Sequence, residues 1–286
     1  MSINTIFIVH KGNSFYLKYC LNQLHFYNKG IDIVLLGDEA NNKYPFVKHY
    51  NIEEYSGRSI QFKNYYKHRS TNIYSYELFC FERWFVLEEF VAKNNIQGSF
   101  IYFDSDVLVY CNVNEMLRWI DDGKRMSVCK TKGPQYSFFA DYTMLNEYCD
   151  FMLNTQKDES ICQEWDQMYA RRIKGGLTGG VCDMTVLNMF YSEHIEFIAE
   201  LHGIKDNIVI DHNINQSDFF EMSKKRTKVV WKNGLPYAIK SENGDLVRFL
   251  AIHFQGKAKR VMHRHYTGPR LGMSQMMDAI LLSRFR

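Results

Sequence analysis

A chain of 286 residues with 46% hydrophobic content can bury a sizeable core, and a net charge of +3 is too small for a nucleic-acid protein. No basic stretch is interleaved with aromatics as a strand-binding groove requires, so a nucleic-acid partner is not expected. Seven cysteines without a CxxC pair point to reduced thiols, and no run reaches transmembrane length, so a soluble cytoplasmic protein is expected.

"TIFIVH" (Thr5–His10) reads as a buried strand, and "SFYLKYCLNQLHFY" as a helix capped by Ser14. "IDIVLLGD" (Ile31–Asp38) is a second buried strand, which completes a βαβ unit and implies a parallel sheet with helices on its faces. The polar, Tyr-rich stretch from Asn41 to about Asn72 receives no assignment. Tyr74–Asn95 has the clearest helical pattern, and "SFIYF" after it reads as a strand buried on both faces. A short helix over Val113–Ile120 and a strand near "RMSVCK" follow, then the segment Gly175–Tyr191, then "IVIDHNINQ" and a hairpin turning at Asn243-Gly244. The pattern over Met273–Phe285 predicts a final amphipathic helix. It belongs to a basic tail, Lys257–Arg286, with seven Lys/Arg against one Asp, a net +6 that leaves −3 for the rest. That tail either packs on the body or meets an anionic surface such as a membrane leaflet or a lipid-linked acceptor.

"YFDSDVLVY" sets Asp104 and Asp106 one residue apart between apolar runs. In extended chain the two side chains share a side. At the carboxyl end of a strand in an open α/β sheet they suit a hard divalent cation, whose charge offsets their repulsion.

This segment resembles the DxD element of GT-A-fold glycosyltransferases, and three further stretches are similar to the family-8, retaining group. "IHFQGKAK" matches its HxxGxxK element through His253, Gly256 and Lys259. "LTGGVCDMTVLN" is similar to its acceptor-side element, and "VIDHNINQ" to its DQDxLN stretch through Asp211, His212 and Asn213. "FERWFVLEEF" resembles the helix that carries an arginine to the diphosphate, here Arg83. The resemblance implies an α/β GT-A (Rossmann-like) fold with a mostly parallel central sheet flanked by helices. It implies one domain over 1–286, with a nucleotide-sugar half to about 110, an acceptor half over 111–256 and the basic tail from 257.

The implied reaction moves a sugar from a nucleotide-sugar, a UDP-hexose, to a glycan or glycolipid hydroxyl with retention. Asp104, Asp106 and His253 would hold Mn²⁺ or Mg²⁺, the mixed O/N set suiting Mn²⁺. Arg83, Asp104, Gly256, Lys257 and Lys259 would bind the donor. Arg83 would clamp phosphate or a sugar hydroxyl, unless it pairs with Glu77 or Glu88 along its helix. Asp211 and His212 would sit near the reacting centre, where the family has Gln in place of His212. Asp183 is the base if the enzyme inverts, or else a helix cap. A sugar nucleotidyltransferase would carry a Gly-rich basic loop after the first strand, and "VHKGNS" has one glycine. A non-catalytic binding module would tolerate loss of a metal ligand, yet all three are present.

Overall fold

The computed structural model describes residues 1–121, 123–129, 133–210 and 212–271. Asp211 and the expected helix over Met273–Phe285 lie outside the described residues. The strands are β1 (Thr5–Val9), β2 (Asp32–Gly37), β3 (Lys48–Asn51), β4 (Phe100–Phe103), β5 (Val107–Val109), β6 (Met126–Cys129), β7 (Tyr136–Phe139), β8 (Ile198–Leu201), β9 (Ile208–Val209), β10 (Met222–Ser223), β11 (Arg226–Thr227), β12 (Val229–Lys232), β13 (Leu235–Ile239), β14 (Leu246–Phe249) and β15 (Ala251–His253). The helices are α1 (Leu17–Tyr27), α2 (Gly57–Lys63), α3 (Tyr74–Lys93), α4 (Tyr142–Lys157), α5 (Glu159–Lys174) and α6 (Asp183–Glu193).

Seven strands form the main sheet in the order β3-β2-β1-β4-β7-β6-β8. All pairings are parallel except those of β7, which runs antiparallel to both β4 and β6. The expected class, α/β with a mostly parallel sheet flanked by helices, is therefore the one observed. The two faces follow from strand alternation. Ile6 and Ile8 of β1 and Ile101 and Phe103 of β4 join α1 in one core cluster. Phe7, Val9, Phe100 and Tyr102 join α3, α4 and α6 in the other. Because successive residues feed opposite cores, these strands read as unbroken apolar runs.

The chain leaves β1 toward β2 and β3 on one side, then returns to β4 on the other. This reversal opens a crevice at the carboxyl ends of β1 and β4, the place where open α/β sheets bind ligands. A smaller sheet, β12-β13-β14-β9, lies apart from the main one, and its β13–β14 hairpin contains the expected Asn243-Gly244 turn.

Some expectations need correction. Helix α1 begins at Leu17 with Tyr16 in the cap position, and Ser14 contributes only its carbonyl to the Leu17 N–H, 3.1 Å. The unassigned Asn41–Asn72 stretch holds β3 and α2. Between Gly133 and Lys174, where the sequence reading assigns no element, lie β7, α4 and α5. Asp141 and Asp158 cap α4 and α5 by accepting from the N–H groups of Met144 and Ile161.

Gly180 occupies a crowded crossing, bridged antiparallel to Ser70. A Cβ there would lie 1.9 Å from the Arg69 carbonyl oxygen and 2.6 Å from the Ser70 Cα. Gly180→Ala should therefore lower unfolding stability by about 1–3 kcal/mol, read from urea denaturation.

Candidate active site

Strand β4 delivers the acidic pair. After Phe103 the chain turns through Asp104, Ser105 and Asp106 into β5, which pairs antiparallel with β15. The register sets His253 opposite Val107, and the Phe254 N–H donates to the Asp106 carbonyl at 2.9 Å. This ladder carries an imidazole from far along the chain to the acidic corner. Ligand atoms of Asp104, Asp106 and His253 all lie within 4.8 Å of one another.

Around this cluster the charges interlock. His253 Nε2 lies 3.4 Å from Asp106 Oδ1, and Lys259 Nζ lies 3.0 Å from Asp106 Oδ2. Burial by itself would raise Asp106, but His253 and Lys259 outweigh it and hold the carboxyl well below the ordinary range. Asp104 goes the other way: burial raises it, Arg83 only partly offsets this, and Asp106 adds repulsion. Tyr102 Oη donates to Asp104 Oδ1 at 2.6 Å, and Arg83 Nη1 donates to the same oxygen.

Arg83 also donates through Nη2 to Asp183 Oδ2 at 2.6 Å, so one guanidinium joins two carboxylates from different elements. Its plane lies over the Trp84 and Tyr102 rings at 5.2 and 5.5 Å. The alternative pairing with Glu77 or Glu88 does not form: Glu77 accepts from Ser70 and Asn72, and Glu88 pairs with Arg58. Asp183 is the first residue of α6, while Cys182 takes the cap position, so Asp183 is not the helix cap. Its second oxygen accepts from the Met184 N–H at 2.9 Å. The inner site thus sets three carboxylates against Arg83 and Lys259, an excess of negative charge that a cation would correct.

These groups open into one cleft of about 790 Å³. Arg83, Asp104, Asp106, Asp183, His253, Gly256, Lys257 and Lys259 all line it. Gly256 has a φ of +59° with nothing within 4 Å of a Cβ position, leaving its backbone open to close approach. His212 stands elsewhere. It is buried, stacked on Phe249 at 4.9 Å and 11°, with Nε2 2.6 Å from Thr227 Oγ1. Its only link to the cleft is a carbonyl that accepts from the His253 N–H. The neighbouring Asn213 lines the cleft instead, so the alternation of extended chain separates the two residues.

The sequence reading missed several lining residues. Tyr76, Phe79, Cys80 and Arg83 sit at i, i+3, i+4 and i+7 of α3, a helical face legible in the spacing. Tyr16 lies 5.2 Å beneath the Lys259 ammonium. Asn213 and Asn215, at period two, both reach Gln255. At the end of β1, His10 bonds Ser105 through Nδ1 at 2.9 Å, and burial lowers its pKa to about 4, so the ring is neutral at pH 7.

No protein-family model matches the chain, and no curated protein matches it. By structure it is similar to mouse xyloside xylosyltransferase 1, at 11% identity over 74% of this chain and 87% of that one, TM-score 0.47. It is similar to the galactosyltransferase LgtC in complex with donor and acceptor sugar analogs, at 12% identity over 96% and 99% of the chains, TM-score 0.46. It is similar also to the bifunctional glycosyltransferase WbbM, at 10% identity over 98% of this chain, TM-score 0.49, and spans about half of WbbM, 51% of its length. Likenesses this distant carry no functional argument, which falls to the side chains.

Two outcomes follow from the geometry. Calorimetric titration should find one Mn²⁺ site per chain, weakened at least about 100-fold by Asp106→Asn or His253→Ala. Arg83→Ala leaves two buried carboxylates unpaired and should cost about 3–5 kcal/mol in urea unfolding at pH 7, with part of the loss recovered when Asp183→Asn is added.

Proposed function

We propose that this chain is a metal-dependent glycosyltransferase that moves a hexosyl group from a nucleotide diphosphate sugar, a UDP-hexose, to a hydroxyl of a glycan or glycolipid. The observation that carries the reading is the convergence of Asp104, Asp106 and His253 at the carboxyl end of the sheet, with Lys259 and Arg83 beside them. Two carboxylate oxygens and an imidazole nitrogen fit a divalent ion, and the mixed donor set suits Mn²⁺, with Mg²⁺ as the alternative. A divalent ion bound there supplies positive charge to the departing diphosphate.

The chain's own groups supply the rest. Lys259 and Lys257 bring ammonium charge to the same phosphates, and the open backbone at Gly256 admits them closely. Tyr102 and Arg83 both engage Oδ1 of Asp104, so Oδ2 is the oxygen available to the ion. Arg83, shared between Asp104 and Asp183, sets the side of the cleft where the sugar would lie. Bond breaking at the anomeric carbon passes through oxocarbenium-like charge, which the nearby carboxylates favour.

Retention is the stereochemistry we favour. Both oxygens of Asp183 are engaged, by Arg83 and Trp84 on one and by the Met184 N–H on the other, which makes it a poor base for an inverting reaction. A leaving diphosphate that takes the proton of the incoming hydroxyl on the same face needs no such base. In this scheme residues 1–110 serve the donor and 111–256 the acceptor. Asp211 stays a candidate near the reacting centre, whereas the buried ring of His212 is assigned to holding β15 in place.

A panel of nucleotide sugars should reveal one donor hydrolysed with Mn²⁺ and spared in EDTA, and NMR should find its anomeric configuration kept in the product. Asp106→Asn and His253→Ala should each cut turnover by more than about a thousandfold. UDP binding without turnover of any sugar would mark a non-catalytic binding module. Inversion at the anomeric carbon would return Asp183 to the role of base.

A further inference from the structure

We propose that the C-terminal end of α5, together with the loop before α3, is a docking face for an anionic lipid bilayer. The proposal goes beyond the glycosyltransferase reading and does not depend on it.

Helix α5 carries an apolar stripe at four-residue spacing, Trp165, Tyr169 and Ile173. Trp165 is buried at its start, and Tyr169 is half-buried with its hydroxyl on the Ser70 carbonyl at 3.1 Å. Ile173 has run past the body and is 48% exposed. Leu177 follows on the same overhang, 57% exposed.

The segment alongside behaves the same way. Ser70 and Gly180 form an antiparallel bridge, and Thr71 and Gly179 exchange two hydrogen bonds. Two residues beyond that contact on either side stand Leu177 and Ile73. Ile73 is 76% exposed, the highest value among the large apolar side chains of the described residues, and Tyr74 follows it, also exposed.

The apolar tips are flanked by charge of one sign. From Gln167 to Cys182 the chain holds Arg171, Arg172 and Lys174 and no acidic residue. Exposed Ile, Leu and Tyr beside Arg and Lys, on a helix end that overhangs its core, match the interfacial pattern in which apolar side chains enter the acyl boundary and cations meet lipid phosphates. The single sign of the charge selects an anionic leaflet over a neutral one. Asn72 and Tyr76, on the same loop and the first turn of α3, line the 790 Å³ cleft, so a bilayer seated here would lie along its mouth.

The test is flotation of the full chain with vesicles of phosphatidylcholine alone or mixed with phosphatidylglycerol. The chain should float with the mixed vesicles only, and less in high salt. Arg171→Glu/Arg172→Glu should weaken flotation about 25-fold, at roughly fivefold per basic contact, and Ile173→Ser/Leu177→Ser should abolish it, with Mn²⁺ binding and urea midpoints unchanged. As a measurement that removes no contact, the indole introduced by Leu177→Trp should shift to the blue on vesicle addition and be quenched by brominated lipid. Lack of flotation by the unmodified chain would overturn the proposal. So would flotation of both double variants at the unmodified level, which would give the role to the C-terminal tail. Self-association of the unmodified chain that only the Ile173→Ser/Leu177→Ser variant loses, without lipid binding, would assign the face to a second copy instead.

Discussion

Two carboxylates one residue apart and largely withdrawn from water impose the central constraint on this molecule. Asp104 and Asp106 repel each other and lose hydration, and neither cost is met within their own strand. The compensation arrives from three separate places in the chain: Arg83 from α3, His253 from β15, and Lys259 from the turn that follows. The antiparallel pairing of β5 with β15 makes this possible, because its register leaves His253 next to the acidic corner. Were that ladder to slip by one residue, the imidazole would face the opposite side. The functional reading therefore rests on three short strands, Phe100–Phe103, Val107–Val109 and Ala251–His253.

Arg83 ties the acidic corner to the rest of the fold. It joins β4 to α6 through Asp104 and Asp183, and rests on Trp84 and Tyr102 as it does so. A guanidinium with both edges occupied is rigid, and its planar fork makes lysine a poor substitute. The same ties withdraw Asp183 from base catalysis, which links the packing of α6 to the stereochemistry proposed for the reaction.

Much of this was legible in the residues, for identifiable reasons. Strands β1, β2 and β4 are buried on both faces, so they appear as continuous apolar runs, and α3 is long enough for its pattern to be unambiguous. The acidic pair stood out because its flanks are apolar. Where reading failed, tertiary context had decided. The apolar pairs of α4, Met144-Leu145, Tyr148-Cys149 and Met152-Leu153, carry a clear helical period that was available and unused. Ser14 is a good cap residue by type, yet the helix starts three residues later. His212 looked functional by position, but backbone alternation turns its ring onto Phe249 and offers Asn213 to the cleft. No local pattern announces that Arg83 would bridge two aspartates a hundred residues apart in sequence.

The most direct measurement is anomalous diffraction at the manganese edge from crystals soaked with Mn²⁺ and UDP. The account predicts one strong peak within coordination distance of Asp104, Asp106 and His253, with diphosphate oxygens on its open side. A manganese peak elsewhere, or UDP bound in the cleft with no metal at the acidic pair, would contradict it.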